Sequence, residues 1–154
     1  PFKESFRFVL PGYNLRPLEL SGALGVEQVK KLPMLIAERR KNGKVMQQTM
    51  GNHSEVMIQE EMGQSSWFGF SLVIRPESTL SRESLIKKLN DAGFESRPIV
   101  TGNFAANEVV KYFDSEVHGP LKNAKYIDAK GLFIGNHHYP INAAIDALCN
   151  CLQA

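Results

Sequence analysis

Apolar residues along the chain recur with different periods, and each period predicts an element. Trp67 to Arg75, WFGFSLVIR, is aromatic and β-branched, is halted by Pro76, and predicts a strand. Gly131 to Gly135 predicts a second strand. Between them Ser81 is placed to cap a helix whose apolar face is Leu85, Leu89 and Ala92, with Gly93 placed to end it. Phe94 to Val100 then reads as extended, and Ala105 to Phe113 as a short helix. Asn142 to Leu152 predicts a last helix with Ile145, Leu148, Cys149 and Leu152 on one face.

The first third follows another pattern. Residues 1–16 read as an extended segment punctuated by Pro11-Gly12, and Pro17 suits the first position of a helix. From there Leu18, Gly22, Gly25, Val26 and Val29 keep a helical period, while Leu20 and Leu24 mark a second apolar side. Apolar on two sides and rich in small residues, this helix is expected to lie between neighbours, through packing in the lobe or a subunit contact. Pro33 is expected to restart the chain as a second helix, with Leu32, Leu35 and Ile36 inward, fading at Asn42-Gly43 or running to about Met50. Residues 51–66 read as a loop holding a short strand. The order of elements predicts a mixed α/β lobe around a small sheet.

Composition narrows the class without naming a function. A chain of 154 residues suits one domain or one lobe of something larger. With 43% hydrophobic and 22% charged residues it is neither disordered nor collagen-like. No apolar run approaches the ~20 residues that span a bilayer, and no signal peptide is visible. The chain starts at Pro1 rather than Met, so it is expected to have been cut or processed. Eighteen basic against sixteen acidic residues leave a net charge of +2. The basic clusters are short, so neither a nucleic acid nor a membrane is an expected partner. Cys149 and Cys151, two apart on a helix, read as buried or half-buried thiols of a reducing compartment, here the cytoplasm, and not as a zinc pair.

Polar residues that could carry chemistry gather in a few places. Pro11-Gly12-Tyr13-Asn14-Leu15-Arg16 sets a turn, an amide and a guanidinium beside a helix start, which suits a phosphate or carboxylate, or simply a helix-capping turn. Glu95 and Arg97 alternate with Ser96, so they share one face, either as a surface pair or lining a polar pocket. Gly135-Asn136-His137-His138-Tyr139-Pro140 follows a predicted strand. Adjacent histidines in extended chain point apart and make a poor chelate, so no metal site is expected there or at His53 and His118. No G-x-S-x-G, P-loop or G-x-G-x-x-G appears, and no lysine is marked as a Schiff-base former. These residues alone do not show a self-sufficient enzyme.

At GYNLRPLELSGALGVEQVKKL the sequence resembles the C-terminal part of the DegT/DnrJ/StrS sugar aminotransferase family. The resemblance runs on through SWFGFSLVI, GFESRPIVTGNF, VVKYFDSEVHG and LFIGNHHYPI, and is weakest over residues 42–66. The later motifs resemble the branch that holds the 3-dehydratases of GDP- and CDP-linked 4-keto-6-deoxy sugars. Iron–sulfur members of that branch resemble one another in a cysteine cluster before the Gly-Tyr-Asn region. Residues 1–11 contain no Cys, which favours the cluster-free type.

The resemblance implies the fold class: an α/β (α+β) C-terminal small domain of a fold-type-I enzyme, with a small mixed or antiparallel sheet covered by helices. It implies that residues 1–154 are that small domain plus the interface segment leading into it. It places the large cofactor-binding domain, with Lys or His at the Schiff-base position, upstream of this chain. It also implies pyridoxal 5′-phosphate and its amine form as cofactor, a homodimer with active sites between subunits, a nucleotide-linked 4-keto-6-deoxy sugar as substrate, and glutamate as amino donor. By motif, Asn14 matches a cofactor-phosphate position, Arg16 beside it is a candidate for the same pocket or for the nucleotide phosphates, and Phe6 matches an aromatic near the partner's active site. Glu95 matches a sugar-binding carboxylate with Arg97 on the same face, and Phe113 and His118 fall near the pocket. The expected reaction is loss of the sugar's 3-hydroxyl. The rival readings are a 4-aminotransferase of the perosamine-synthase type and a non-catalytic relative that keeps the fold.

Overall fold

The computed structural model describes residues 6–13 and 18–153. Four helices, α1 (Glu19–Met50), α2 (Arg82–Asp91), α3 (Lys122–Lys130) and α4 (Asn142–Gln153), accompany four strands, β1 (Val56–Ile58), β2 (Gly69–Ile74), β3 (Ser96–Arg97) and β4 (Gly131–Gly135). The sheet order is β1-β2-β4-β3, and every neighbouring pair is antiparallel. The sheet is therefore antiparallel throughout its described strands.

Alternation along β2 builds the core. Phe70, Leu72 and Ile74 are buried while Ser71 and Val73 between them are half-buried. In register across from them, Phe70 faces Ile134 and Leu72 faces Leu132, so four apolar side chains share one face. Against that face pack Met46 and Met50 of α1, Leu85 and Leu89 of α2, and Ile145, Leu148 and Leu152 of α4. The apolar face expected of the last helix is thus the packed one, with Cys149 half-buried at its margin. Ser81 caps α2 in a reciprocal capping box with Ser84, and Gly93 turns the chain at φ +82.

Three expectations are corrected. The first helix does not stop and restart at Pro33; α1 runs unbroken for 32 residues. Proline removes one N–H and so frees the carbonyl four residues earlier. Here Val29 and Pro33 are both exposed, so water can take that carbonyl. Of the two ends expected for this stretch the later is the observed one: α1 runs through Asn42-Gly43, both buried inside it, to Met50. A Cβ on Gly43 would stand 2.7 Å from two atoms of the Trp67 ring, so glycine there admits a large side chain against the helix. Finally, the stretch 94–100 pairs only at Ser96 and Arg97, and the helix expected at 105–113 is two 3-10 turns, Phe104–Ala106 and Glu108–Tyr112, parted by extended Asn107.

The segment 6–13 is irregular and is tied to the second of those turns. Val109 N donates to the Phe8 carbonyl at 3.1 Å, and Arg7 pairs with Glu108 at 2.6 Å. That hydrogen bond holds the Glu108 carboxyl below its usual range.

Candidate functional site

One concavity opens where β2 begins and β4 ends. It encloses about 490 Å³. Its floor is core: Met46, Phe70, Ile134 and Leu148. Its rim is polar and aromatic, with Glu95, Arg97, Arg39, His137, Phe68 and Phe133.

Register explains how these side chains meet. Arg97 lies directly opposite Phe133, which lies opposite Ser71, so the three share the face away from the core. Glu95, two residues before Arg97 and just outside β3, lines the same cavity. Phe133 lies over Gly69, where any Cβ would strike its ring. Phe68 stacks on Phe133 with centroids 5.9 Å apart and planes 25° from parallel. The Arg39 guanidinium carbon stands 5.6 Å from the Phe68 centroid.

A buried amide pair holds the rim in place. The Asn42 Nδ2 hydrogens are shared among Asn136 Oδ1 at 3.1 Å and the carbonyls of His137 and Tyr139 at 3.0 and 2.8 Å. Asn136 Nδ2 donates to the carbonyls of Arg39 and Trp67 at 3.1 and 2.8 Å. One clasp therefore binds α1, the start of β2 and the loop after β4. Asn136 and Asn42 are functional only through this positioning. Their signal in the sequence was an Asn-Gly inside a helical pattern, which reads equally as a helix end.

A second, smaller cavity of about 360 Å³ takes in Phe6, Arg82, Pro98, Thr101, Asn103 and Asp128 among its lining. Its wall holds backbone strain: Val100, a β-branched residue, sits at φ +44, and Gly102 at φ +55 lies against Asp128. Arg97 and Pro98 are consecutive, so the chain passes from one cavity to the other between them.

The residues expected from sequence divide accordingly. Glu95 and Arg97 share the larger cavity, whereas Phe6 lines the smaller one. Phe113 and His118 are exposed and line neither. Asn14 and Arg16 lie outside the described residues. Arg39, Phe68 and Phe133 were not anticipated; Phe68 and Phe133 stood inside strand patterns that gave their apolar character a sufficient cause. His53 is buried, its Nδ1 accepting from Glu55 N at 3.2 Å and its Nε2 without a partner, and burial pushes its pKa down. Among the described residues no three His, Cys, Asp or Glu side chains gather as a metal site would require. No described helix is long and apolar enough to cross a membrane.

Two guanidiniums beside stacked rings suit a ligand that is both anionic and planar or cyclic. No lysine lines the larger cavity, so its described walls offer no amine for a Schiff base.

An antiparallel lobe of this outline recurs in a known class. The chain belongs to the DegT/DnrJ/EryC1/StrS aminotransferase family, which it matches over residues 2–153. It is 53% identical, over 99% of its length, to a GDP-4-keto-6-deoxy-D-mannose 3-dehydratase of Yersinia pseudotuberculosis. An Escherichia coli enzyme of that name, solved with bound hydrated PLP, superposes with a TM-score of 0.86 at 53% identity over 98% of this chain. A mutant GDP-4-keto-6-deoxymannose-3-dehydratase solved with bound GDP-perosamine gives the same TM-score over 97% of this chain. The chain spans about 39% of the length of these relatives. The sugar aminotransferase CalS13 of Micromonospora echinospora, 16% identical with TM-score 0.72 over 92% of this chain and 36% of its own, shares the fold.

Proposed function

We propose that this chain is the C-terminal small domain, with the segment leading into it, of a pyridoxal-phosphate-dependent 3-dehydratase. Its substrate is a nucleotide-linked 4-keto-6-deoxyhexose of deoxysugar and O-antigen biosynthesis. The observation that carries the reading is the 53% identity to the Yersinia dehydratase over 99% of the chain. The parent protein carries the large domain, works as a cytoplasmic homodimer and is recharged by glutamate.

The cofactor in its amine form supplies an electron sink that lets the sugar release its 3-hydroxyl as water. This chain's own part is positioning. Glu95 is exposed on the cavity rim and accepts a hydrogen bond from a sugar hydroxyl, while Arg97 on the same face donates to substrate oxygens. Asn14 and Arg16 hold the cofactor phosphate of the neighbouring subunit, and Phe6 stands near that subunit's site. Phe113 and His118 meet substrate only across a subunit or domain boundary, since they line neither cavity here.

The test is mass analysis of the product made by the parent protein from GDP-4-keto-6-deoxymannose with pyridoxal phosphate and glutamate. A product lacking the 3-hydroxyl oxygen is expected. An amine in place of the 4-keto oxygen would make the parent a 4-aminotransferase. No turnover, with no cofactor absorbance, would make it a non-catalytic relative.

A further inference from the structure

The irregular segment 6–13 is gripped at Arg7 and Phe8. Phe8 N donates to Asn107 Oδ1 at 3.4 Å, and the Phe8 carbonyl accepts from Val109 N at 3.1 Å, so both of its backbone groups are held. Beside it the Arg7 guanidinium donates to Glu108 Oε1 at 2.6 Å. Three consecutive residues, 107–109, thus hold two consecutive ones about a hundred positions earlier in the chain.

The grip has a firm base. Val109 is the buried residue of its 3-10 turn, Asn103 is buried as well, and Asn107 Nδ2 donates to the Asn103 carbonyl at 3.4 Å. Asn107, at φ −78 and ψ 143, is also where the helix expected over 105–113 breaks in two. The break therefore falls at the residue whose side chain meets Phe8. Past the grip the other described residues cover little of the segment: Leu10 leaves 64% and Tyr13 94% of its surface exposed. An exposed ion pair adds little to stability. What these bonds fix is where the segment leaves the lobe. Phe6 lies two residues before Phe8 and Asn14 six after it, and six residues of chain reach at most about 20 Å.

We propose that Asn107 and Glu108 are positioning residues for the cofactor site of the neighbouring subunit. They clamp Phe8 and Arg7 and so aim Asn14 and Phe6 at that site. This rests on the roles given to Asn14 and Phe6 under the proposed function and adds what holds them in place. A segment already ordered loses less entropy on meeting its ligand, so the clamp tightens cofactor binding through Asn14.

The test is titration of pyridoxal phosphate into the cofactor-free parent protein, followed by absorbance, with melting temperature and subunit association measured alongside. The double variant Asn107→Ala, Glu108→Ala should bind about threefold to tenfold more weakly, the net worth of about one hydrogen bond, with melting and association unchanged. Asn107→Asp keeps an acceptor for Phe8 N and should bind as the wild type does. Lys111→Ala should also match the wild type, since that ammonium sits on the same turn but over the Tyr112 ring, 5.1 Å from its centroid. Wild-type affinity in the double variant would overturn the clamp. Asn14→Ala then separates the two readings: weaker binding there leaves the cofactor role of Asn14 standing, and wild-type binding removes it too. A loss shared by Asn107→Asp or Lys111→Ala would likewise overturn the clamp, because the turn as a whole would be the cause. Should the double variant melt early, Glu108→Ala alone decides, its pair being 51% and 52% exposed. Weaker binding at an unchanged melting temperature is expected of it, and wild-type binding would overturn the clamp.

Discussion

The two halves of α1 obey different rules although no break separates them. From Asn42 onward the helix buries Asn42, Gly43, Met46 and Met50, and its neighbours are ring, strand and helix. From Glu19 to Lys41 no residue is buried, and Leu20, Leu24, Val26 and Val29 each leave at least 60% of their surface exposed. Helix propensity runs the other way, since Leu, Glu and Lys crowd the exposed part while the buried end holds Asn42, Gly43 and Thr49. Position distinguishes them: the second half has a sheet to lie on, and the first half keeps an apolar surface that the other described residues do not cover. An amphipathic pattern thus reports that a face will be buried without reporting by what.

Mutations can break that contrast. Leu72→Ala, at 0% exposure on the sheet's core face, should cost about 2–5 kcal/mol in denaturant unfolding of the chain. Leu24→Ala should stay within about 0.5 kcal/mol in the same assay. In the longer parent its cost should rise toward the core range, and no rise would mean that the first half of α1 is uncovered there too. Asn136→Ala removes the acceptor and donor that join α1 to two loops and should cost about 1–3 kcal/mol. It should also move Arg39, so ligand affinity at the larger cavity should fall with it. Gly43→Ala drives a methyl into the Trp67 ring and should cost about 1–3 kcal/mol, read also as a change in the emission of this single tryptophan.

The smallest effect concerns pH. Burial lowers the His53 pKa in the folded chain, so the unfolded chain binds the proton more readily. Stability is full above the ordinary histidine range and declines as pH falls from about 6.5 toward the lowered folded value. His53→Gln should flatten that decline in melts taken between neutral and mildly acid buffer. An unchanged slope would mean that the burial of His53 does not set it.

Much of the fold was legible in the residues. The β2 and β4 strands, the Ser81 cap and the buried face of α4 each had one dominant local signal and no rival. The failures also have causes. Pro33 carries a strong local stop signal, but the carbonyl it frees is open to water, and the signal at Asn42-Gly43 was overridden by packing against Trp67. Helix α3 went unread because it buries no residue and starts from Leu121 in the left-handed region, which no capping pattern announces. At the cavity, alternation alone put Glu95 and Arg97 on one face. Phe68, Phe133 and Arg39 come from three separate elements, and only strand register brings them together.

The amide clasp at Asn42 and Asn136 also has a mechanical meaning. It grips α1 like the wall socket of a cantilever, while about fourteen residues, Glu19 to Leu32, project roughly 20 Å beyond Pro33. A beam held this way swings most at its tip and least at its root. Whatever docks on the projecting half can tilt it at the missing hydrogen bond of Pro33 while Arg39 and the cavity rim stay still. The protein can therefore adjust its fit to a neighbour without retuning the place where its ligand lies.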